Sequence, residues 1–501
     1  MTSPLIPITT DLDKTVEDRI NHGARFVGLY ASGHDRNCRL NVILTTPVGF
    51  DVLSSEVTDT GTGLRYPSLT PQVPSAFWYE RAAADLSGVI PEGHPRLDPL
   101  LLPLVAGSNR PQPGRGNDGS LESVQSFTPP GPIDVEGQGL FTIAYGPVRS
   151  GVTESIEYLV ETPGEDIPRI NIRPHFKHRG VAKAFEGRSL AEGVVVAERV
   201  EGTVSVAHAL AYSHAIETMT NATIPKTAQF ARVILAEIER ISNHLDVMMK
   251  LADAAGLAVA ASRFGWHKES SLRLMGELTG SRFGRGYVVP GGVRKELGLP
   301  SGDLTTRMRA LWKHINADAK LALATPSFLD RLRNTGRLDT TLAIHWGAVG
   351  PVGRGSGVED DNRWSRPTDA YEIVTEGVKP ARENPGDVLA RTRVRVAEMA
   401  TSVTLIERAC GVMAQLTDHT LQTADTLHND VQGVSVGWAE APHGEIVTVV
   451  EATEGHIVRC VARTPSLHNM VLFHNVFHGD VLTDFAFTEA SFGLSAAGVA
   501  M

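Results

Sequence analysis

Apolar positions change their spacing several times along the chain, and each change marks a different kind of element. Arg39-Leu-Asn-Val-Ile-Leu-Thr-Thr46 alternates as a half-buried strand does, and Phe77 to Leu86 reads as a short helix. Residues 1–105 are therefore expected to form a small α+β domain. Residues 106–132 are rich in Pro, Gly and Ser and keep no apolar period, which predicts a flexible linker. Strand-like runs return at Leu140 to Tyr145 and Ser155 to Val160. A helical period follows. Phe230, Val233, Ile234, Ile238, Ile241, Leu245 and Met248 form one stripe on a helix expected from Pro225 to Lys250. Val396, Met399, Val403, Ile406, Cys410 and Met413 form a 3-4 seam on a helix expected over 388–425. Both stripes read as core. Residues 430–501 return to short β-like runs. The predicted fold class is α+β: a small N-terminal α+β domain, a Gly/Pro linker, and a domain over 133–501. That large domain would hold a central helical bundle over about 181–428, flanking short β-sheets, and a C-terminal α+β part over 430–501.

Composition narrows the function. Of 501 residues, 42% are apolar and 21% charged, enough for a sizeable core. Lys plus Arg number 47 against 57 Asp plus Glu, a net charge of −10, which argues against gripping a phosphate backbone; no nucleic-acid partner is expected. The three cysteines, Cys38, Cys410 and Cys460, are far apart. They exclude a disulfide framework and a four-thiolate metal site, and they fit a reducing compartment. No run of about 18 apolar residues is present, and the N-terminus lacks a basic-then-apolar leader. A cytoplasmic chain that reaches a membrane only through partners is expected.

Local motifs say less. His175, Lys177, His178 and Arg179 cluster within six residues of Pro174. They read as a cationic spot facing an anion or proton path, or as a solvated loop entering a helix. His474 and His478 have the i, i+4 spacing of two metal ligands on one helix face, but no acidic third ligand follows in register, so ordinary histidines are the preferred reading. Gly114-Arg-Gly-Asn-Asp-Gly119 matches a dinucleotide-binding pattern but lies in the linker, without a strand before it. Gly433-Val-Ser-Val-Gly437 matches a nucleophile elbow, yet its β-branched neighbours predict a strand.

Two longer segments carry a resemblance. Trp78 to Leu97 contains Glu80-Arg81, Asp85, Gly88 and Gly93-His94-Pro95, and resembles the signature of the small peripheral-arm subunit of respiratory complex I. From about Tyr145 onward the chain is similar to the large subunit of nickel–iron (NiFe) hydrogenases and its complex I homologue. The residues that carry this are His178-Arg-Gly180, Glu198-Arg-Val200, Ala207-His208, Gln229, Glu239-Arg240, Asn243-His244, Glu277 to Gly280, Gly291 to Arg294, Glu440 to Glu445 and Arg463 to Ser466. The fused arrangement resembles the large subunit of formate-hydrogenlyase-type, energy-converting hydrogenases. The resemblance implies a subunit peripheral on the inner face of the cell membrane. It would sit beside a small iron–sulfur subunit and antiporter-like membrane subunits, facing a quinone or metal cavity.

The site residues of that family are replaced here. By resemblance, the nickel-ligating cysteine pairs fall at Glu201 and Val204 and at Ser495 and Gly498, so a nickel–iron centre and hydrogen chemistry are not expected. Ala182 stands where an acidic residue usually follows HRG. The quinone-bonding histidine and tyrosine of complex I fall at Thr153, within Gly146 to Glu154, and at Gly202. What remains is a polar set: Arg149, His178, Arg179, Glu201 and His208, with His443 a further cavity candidate. His178, Arg179, Glu201 and His208 are the catalytic candidates; Arg149, Thr153, Gly202 and His443 mark quinone-cavity positions. Glu201 reads as a proton relay, as a charge partner of Arg179 or Arg199, or as part of a buried salt bridge filling the vacated metal position. No covalent cofactor or metal is expected, and quinone is the one ligand the resemblance leaves open. No motif binds NADH. Two functions follow: an oxidoreductase-complex subunit that shapes an acceptor cavity, or a non-catalytic scaffold that couples an iron–sulfur subunit to an ion-translocating module.

Overall fold

A computed structural model describes residues 9, 11–33, 38–57, 59, 63–102, 104–105, 127–128, 139–149, 154–423 and 431–501. The N-terminal part opens with α1 (Leu12–Asn21) and an antiparallel meander of β1 (Phe26–Ser32), β2 (Arg39–Thr45) and β3 (Phe50–Glu56). Leu29 faces Val42, and Val42 faces Leu53, so the alternating apolar residues stack across three strands. Helix α2 (Phe77–Ser87) packs on β1 and ends at Gly88, whose φ of 69° suits a left-handed cap. The polar residues of the small-subunit signature are structural ties. Glu80 accepts from Ser68 Oγ at 2.7 Å and the Leu69 N–H at 2.8 Å. Asp85 accepts from the Leu100 and Leu101 N–H groups, both at 2.7 Å.

Phe127–Thr128 pairs antiparallel with Leu104–Val105; otherwise the expected linker, including Gly114 to Gly119, lies outside the described residues. A second meander follows, of β4 (Phe141–Tyr145), β5 (Glu157–Thr162) and β6 (Arg169–Arg173). Then come α3 (Leu190–Ala197), α4 (Ser205–Thr220), α5 (Lys226–Ala254), α6 (Ala258–Thr279), α7 (Ser301–Ala324) and α8 (Val388–Met413). Helix α5 lies between α6 and α8, and its whole predicted stripe is buried. The last meander, β7 (Gly433–Ala441), β8 (Gly444–Thr453) and β9 (His456–Arg463), covers α4. Ser435 thus sits within a strand, as its neighbours predict. The first sheet docks on the last: Val27, Tyr30, Ile43 and Phe50 share an apolar cluster with Val447 and Val449.

Two expectations are corrected, and one spacing is accounted for. Helix α8 stops at Met413 and not near 425, because the chain turns polar there and Asp418 bonds the Thr420 N–H at 2.9 Å, a local turn that competes with helix. After β9 the chain is helical: α9 (Pro465–Leu472), α10 (Phe485–Phe492) and α11 (Ala496–Val499). These helices are too short to show a period, and α9 is set by Pro465 in its first turn and by Thr464 Oγ1 accepting from the Leu467 N–H at 3.1 Å. His474 lies in a 3-10 turn over Phe473–Val476 that ends before His478, so the two do not share an α-helical face.

Candidate functional site

Four segments converge beside the N-terminus of α4: the loop from Arg199 to Val204, α4 itself, the β7–β8 turn and α11. The loop enters α4, whose first free N–H groups are capped from a neighbouring helix. Glu239 of α5 accepts from the Val206 N–H at 2.7 Å and the Ala207 N–H at 3.0 Å. Burial pushes the Glu239 carboxyl up to about 8, against the pull of those two N–H groups. His208 follows in the first turn of α4. The β7–β8 turn is tight, with Ala441 opposite Gly444, and places His443 at its tip. Arg240 of α5 fixes that turn by donating to Glu440 O at 2.6 Å and Ala441 O at 3.0 Å. The Glu239-Arg240 pair therefore positions both histidines.

Glu201 sits between them. Its Oε2 is 3.0 Å from His443 Nε2, and its Oε1 is 3.9 Å from His208 Nε2. The carboxylate is fully buried, and each imidazole is only 1% exposed. Apart from one another, these oxygens and ring nitrogens have no hydrogen-bond partner among the described residues. Burial pushes the Glu201 carboxyl up, but His443 and His208 beside it outweigh that, holding the carboxyl well below the usual carboxylate range. The remaining side of the carboxylate is closed by Gly498. A Cβ there would lie 2.6 Å from Glu201 Cδ, and closer still to Oε1. Glu201 and Gly498, far apart in the chain, thus meet, and the space between loop and helix is filled by a carboxylate beside an imidazole.

The other candidates take different roles. His178 Nδ1 lies 3.0 Å from Ala500 O, and Arg179 donates to Arg199 O at 3.1 Å, Val200 O at 2.5 Å and Ala497 O at 3.1 Å. These two side chains staple the Glu201 loop to the C-terminal segment. Of the three readings of Glu201, the one that pairs it with Arg179 or Arg199 falls away: Arg179 is spent on carbonyls, and Arg199 reaches Val195 O at 2.5 Å and Glu198 at 3.4 Å. Arg149 forms a two-fold pair with Glu489 of α10 at 2.6 and 2.9 Å and stacks on Tyr145. Ser495 donates to Glu154 at 2.8 Å, and Val204 is buried core. Gly202 is exposed beside Glu201, and Thr153 lies outside the described residues.

The donor set does not fit a nickel–iron group. No sulfur stands at Glu201, Val204, Ser495 or Gly498, while Cys410 lies in α8 and Cys460 in β9. Among the described residues, no group of three or more His, Cys, Asp and Glu side chains is placed to hold a metal ion.

Period and motif gave no sign of the ionic network behind the site. Glu398 of α8 lies 2.8 Å from His244 Nε2 and accepts from Arg354 Nε at 2.8 Å, while Arg354 also reaches Glu440 at 2.9 Å. Glu237 accepts from Tyr371 Oη at 2.6 Å and from Arg363 at 3.1 Å. All are buried, so these polar residues of α5 are as enclosed as its apolar ones. The signal available was the density of Glu, Arg, Asn and His from Glu237 to His244 between apolar residues.

Comparison with known proteins matches this architecture. Residues 17–112 fit the family model of the respiratory-chain NADH dehydrogenase 30 Kd subunit, and residues 258–500 fit that of the 49 Kd subunit. The chain belongs to the complex I 49 kDa and nickel–iron hydrogenase large-subunit family, with a fused 30 kDa-type domain. It is 28% identical over 363 residues to the membrane-bound hydrogenase subunit alpha of Pyrococcus furiosus, covering 70% of this chain and 84% of that one. It is 30% identical over 355 residues to formate hydrogenlyase subunit 5 of Escherichia coli, covering 68% of this chain and 61% of that one. A fused NADH-quinone oxidoreductase subunit of Rhodopseudomonas palustris is 29% identical over 424 residues, covering 78% of this chain and 72% of that one. The fold is also that of a chain from a membrane-bound sulfane sulfur reductase, an archaeal respiratory membrane complex. That match has a TM-score of 0.67 at 23% identity and covers 74% of this chain and 100% of that chain. No helix among the described residues is long and apolar enough to cross a membrane.

Proposed function

We propose that this family member is the fused peripheral-arm subunit of a membrane-associated oxidoreductase complex, working without a nickel–iron centre. One observation carries the reading: Glu201, 3.0 Å from His443, fills the space between its loop and the C-terminal helix at Gly498, two positions to which the resemblance assigns replaced cysteines. The relatives named as hydrogenase, formate hydrogenlyase and NADH-quinone oxidoreductase subunits support placement beside an iron–sulfur subunit and antiporter-like membrane subunits, on the inner face of the membrane. In this reading electrons end on a partner's cluster and pass to an acceptor, a quinone being the family's choice, at the surface by exposed Gly202 and Thr203. The chain's own residues hold the loop in place through Arg179 and keep the Glu201 carboxylate beside His443 beneath it.

A scaffold without chemistry of its own is favoured by one fact: Glu201, His208 and His443 are at most 1% exposed, so no reacting group of the cluster faces solvent. The two readings separate by experiment. The tagged chain is recovered from gently solubilised membranes, and the complex is analysed for metal and quinone. Iron–sulfur and antiporter-like partners with bound quinone and no nickel support the acceptor-facing subunit. The same partners with neither quinone nor nickel support the scaffold. Stoichiometric nickel in this chain contradicts both.

A further inference from the structure

A cavity lies between the N-terminal part and the second sheet, and none of its lining residues belongs to the Glu201 cluster. It measures about 230 Å³ and is walled by α2, by the loop over residues 94–100, by β6 and by His474. Four arginines line it: Arg81, Arg96, Arg169 and Arg173. Only one carboxylate, Asp98, lies in the wall itself. Arg81 and Arg96 both bind Asp98, at 3.0 and 2.7 Å. Behind the wall, Glu157 takes Arg173 at 2.8 Å, and Glu161 lies 3.7 Å from Arg169. Asp85 stands behind Arg81 but is occupied by the backbone N–H groups of Leu100 and Leu101.

The carboxylates act mainly as braces. Arg96 is held in a fork by Asp98, and its third nitrogen by Asn171 Oδ1 at 2.9 Å, which fixes the guanidinium plane against the cavity. Arg81 is only 6% exposed and shares Asp98 with Arg96, so two guanidinium charges divide one counter-charge. The wall also holds hydrogen-bonding capacity that the chain does not use. Both ring nitrogens of His175 and the Nε of Arg173 are shielded from water and have no hydrogen-bond partner among the described residues. Burial, with Arg173 nearby, lowers the pKa of His175, which keeps it a neutral donor–acceptor. The floor is apolar, with Phe77 and Trp78 among the lining residues. Arg81 and Arg96 spend their N–H groups on Asp98, Asn171 and backbone carbonyls, so the donors that face a ligand are those of Arg169, Arg173 and His175, and positive charge with such donors beside apolar Phe77 and Trp78 suits an oxoanion.

We propose that this pocket binds an oxoanion of the phosphate or carboxylate class, carried either by a free small molecule or by an acidic side chain of a partner subunit. The site is separate from Glu201 and does not depend on how that cluster works. The test is a titration of the purified full chain with inorganic phosphate, followed by calorimetry and by 31P line width, against chloride at matched ionic strength. Saturable phosphate binding is expected. It should weaken about tenfold or more in Arg169→Gln, the least firmly braced of the four, and in His175→Ala. Arg273→Gln, an exposed arginine on α6, should bind as the parent does. Circular dichroism melting of each variant separates lost binding from lost folding. A phosphate response no different from chloride, or unchanged binding in folded Arg169→Gln and His175→Ala, overturns the proposal. Repeating the titration on the complex recovered from membranes assigns the source: binding in both preparations means a free anion. Binding by the chain alone means that a partner's carboxylate occupies the pocket in the assembly.

Discussion

Adding one methyl group at Gly498 tests whether the loop and the C-terminal helix meet. Gly498 lies inside α11, where alanine ordinarily stabilises by about 0.5–1 kcal/mol over glycine. Here the new carbon would land 2.6 Å from Glu201 Cδ and 3.0 Å from Cγ. The carboxylate has no room to yield, since it is fully buried and held by His443 at 3.0 Å and His208 at 3.9 Å. Overpacking of this kind costs about 1–3 kcal/mol. The upper end applies, because a displaced carboxylate also loses its imidazole partners. After the helix gain, Gly498→Ala should destabilise by about 2 kcal/mol. Removing the obstacle should reverse the sign: in a Glu201→Ala background, Gly498→Ala becomes neutral or stabilising by up to about 1 kcal/mol. Urea denaturation of the parent, both single variants and the double variant gives the coupling energy, expected near 2–3 kcal/mol. Additivity within about 0.5 kcal/mol would refute the reasoning, because it would mean that Glu201 and Gly498 are not in contact.

Four further outcomes follow from particular contacts. Glu239→Ala removes the cap from α4 and should cost about 2 kcal/mol, with amide exchange rising first at Val206 and Ala207. Arg25→Ala removes an arginine that lies 2.7 Å from both Glu445 oxygens, leaves Arg463 in place, and should cost roughly 2 kcal/mol and speed proteolysis of the N-terminal part. Burial opposes ionisation of Glu445, but Arg25 and Arg463 outweigh it and hold the carboxyl well below the usual range. Its contribution is therefore complete above the ordinary glutamate value near 4.5 and is lost as pH falls, so acid melting curves should be shallower in Arg25→Ala. Asp480 has the opposite sign: burial, reinforced by Asp484, raises its carboxyl to about 6, so its contribution is full at low pH and fades as pH rises through that value. Asp480→Asn keeps the acceptor for the Gly336 N–H and should gain about 1 kcal/mol at pH above about 7, allowing for screening by solvent, with no gain near pH 4.

The sequence and the structure agree where burial follows a period. Val233, Ile238, Ile241 and Leu245 repeat at helical spacing and are all buried in α5, and Arg39 to Thr45 forms the expected strand β2, although Leu40 to Thr45 are all buried, so that strand is covered on both faces and not half-buried. The α+β class followed from such segments. Period was silent on the charged residues of α5: Arg232, Glu237, Arg240 and His244 are fully buried, and Glu237 falls within the apolar stripe, three residues after Ile234 and four before Ile241. Charged residues keep the same spacing whether they meet water or a second set of charges, and only the partners Arg363, Glu398 and Glu217 decide. The site was legible in the same uneven way. Glu201 and Gly498 were identified by what they replace, and the structure brings them into contact. His443 was a cavity candidate and is the nearer imidazole, at 3.0 Å. Arg179 and Arg149 were read as cavity groups, yet one is occupied by three carbonyls and the other by Glu489. Side-chain type marks what a residue is able to bind, but the choice between a carbonyl and a ligand is made by loops over 300 residues distant, such as Ala497 from Arg179.

The central claim is that an ionised Glu201, held by imidazole, stands in the family's metal position. Infrared difference spectroscopy of the intact complex, comparing the parent with Glu201→Gln, reads that carboxyl directly. The account predicts that the substitution removes a carboxylate band and no protonated-carboxyl band, unchanged from about pH 5 to about pH 8, because the Glu201 pKa lies far below this range. Loss of a protonated-carboxyl band in that range, or a shift of metal–ligand bands with stoichiometric nickel, would contradict it.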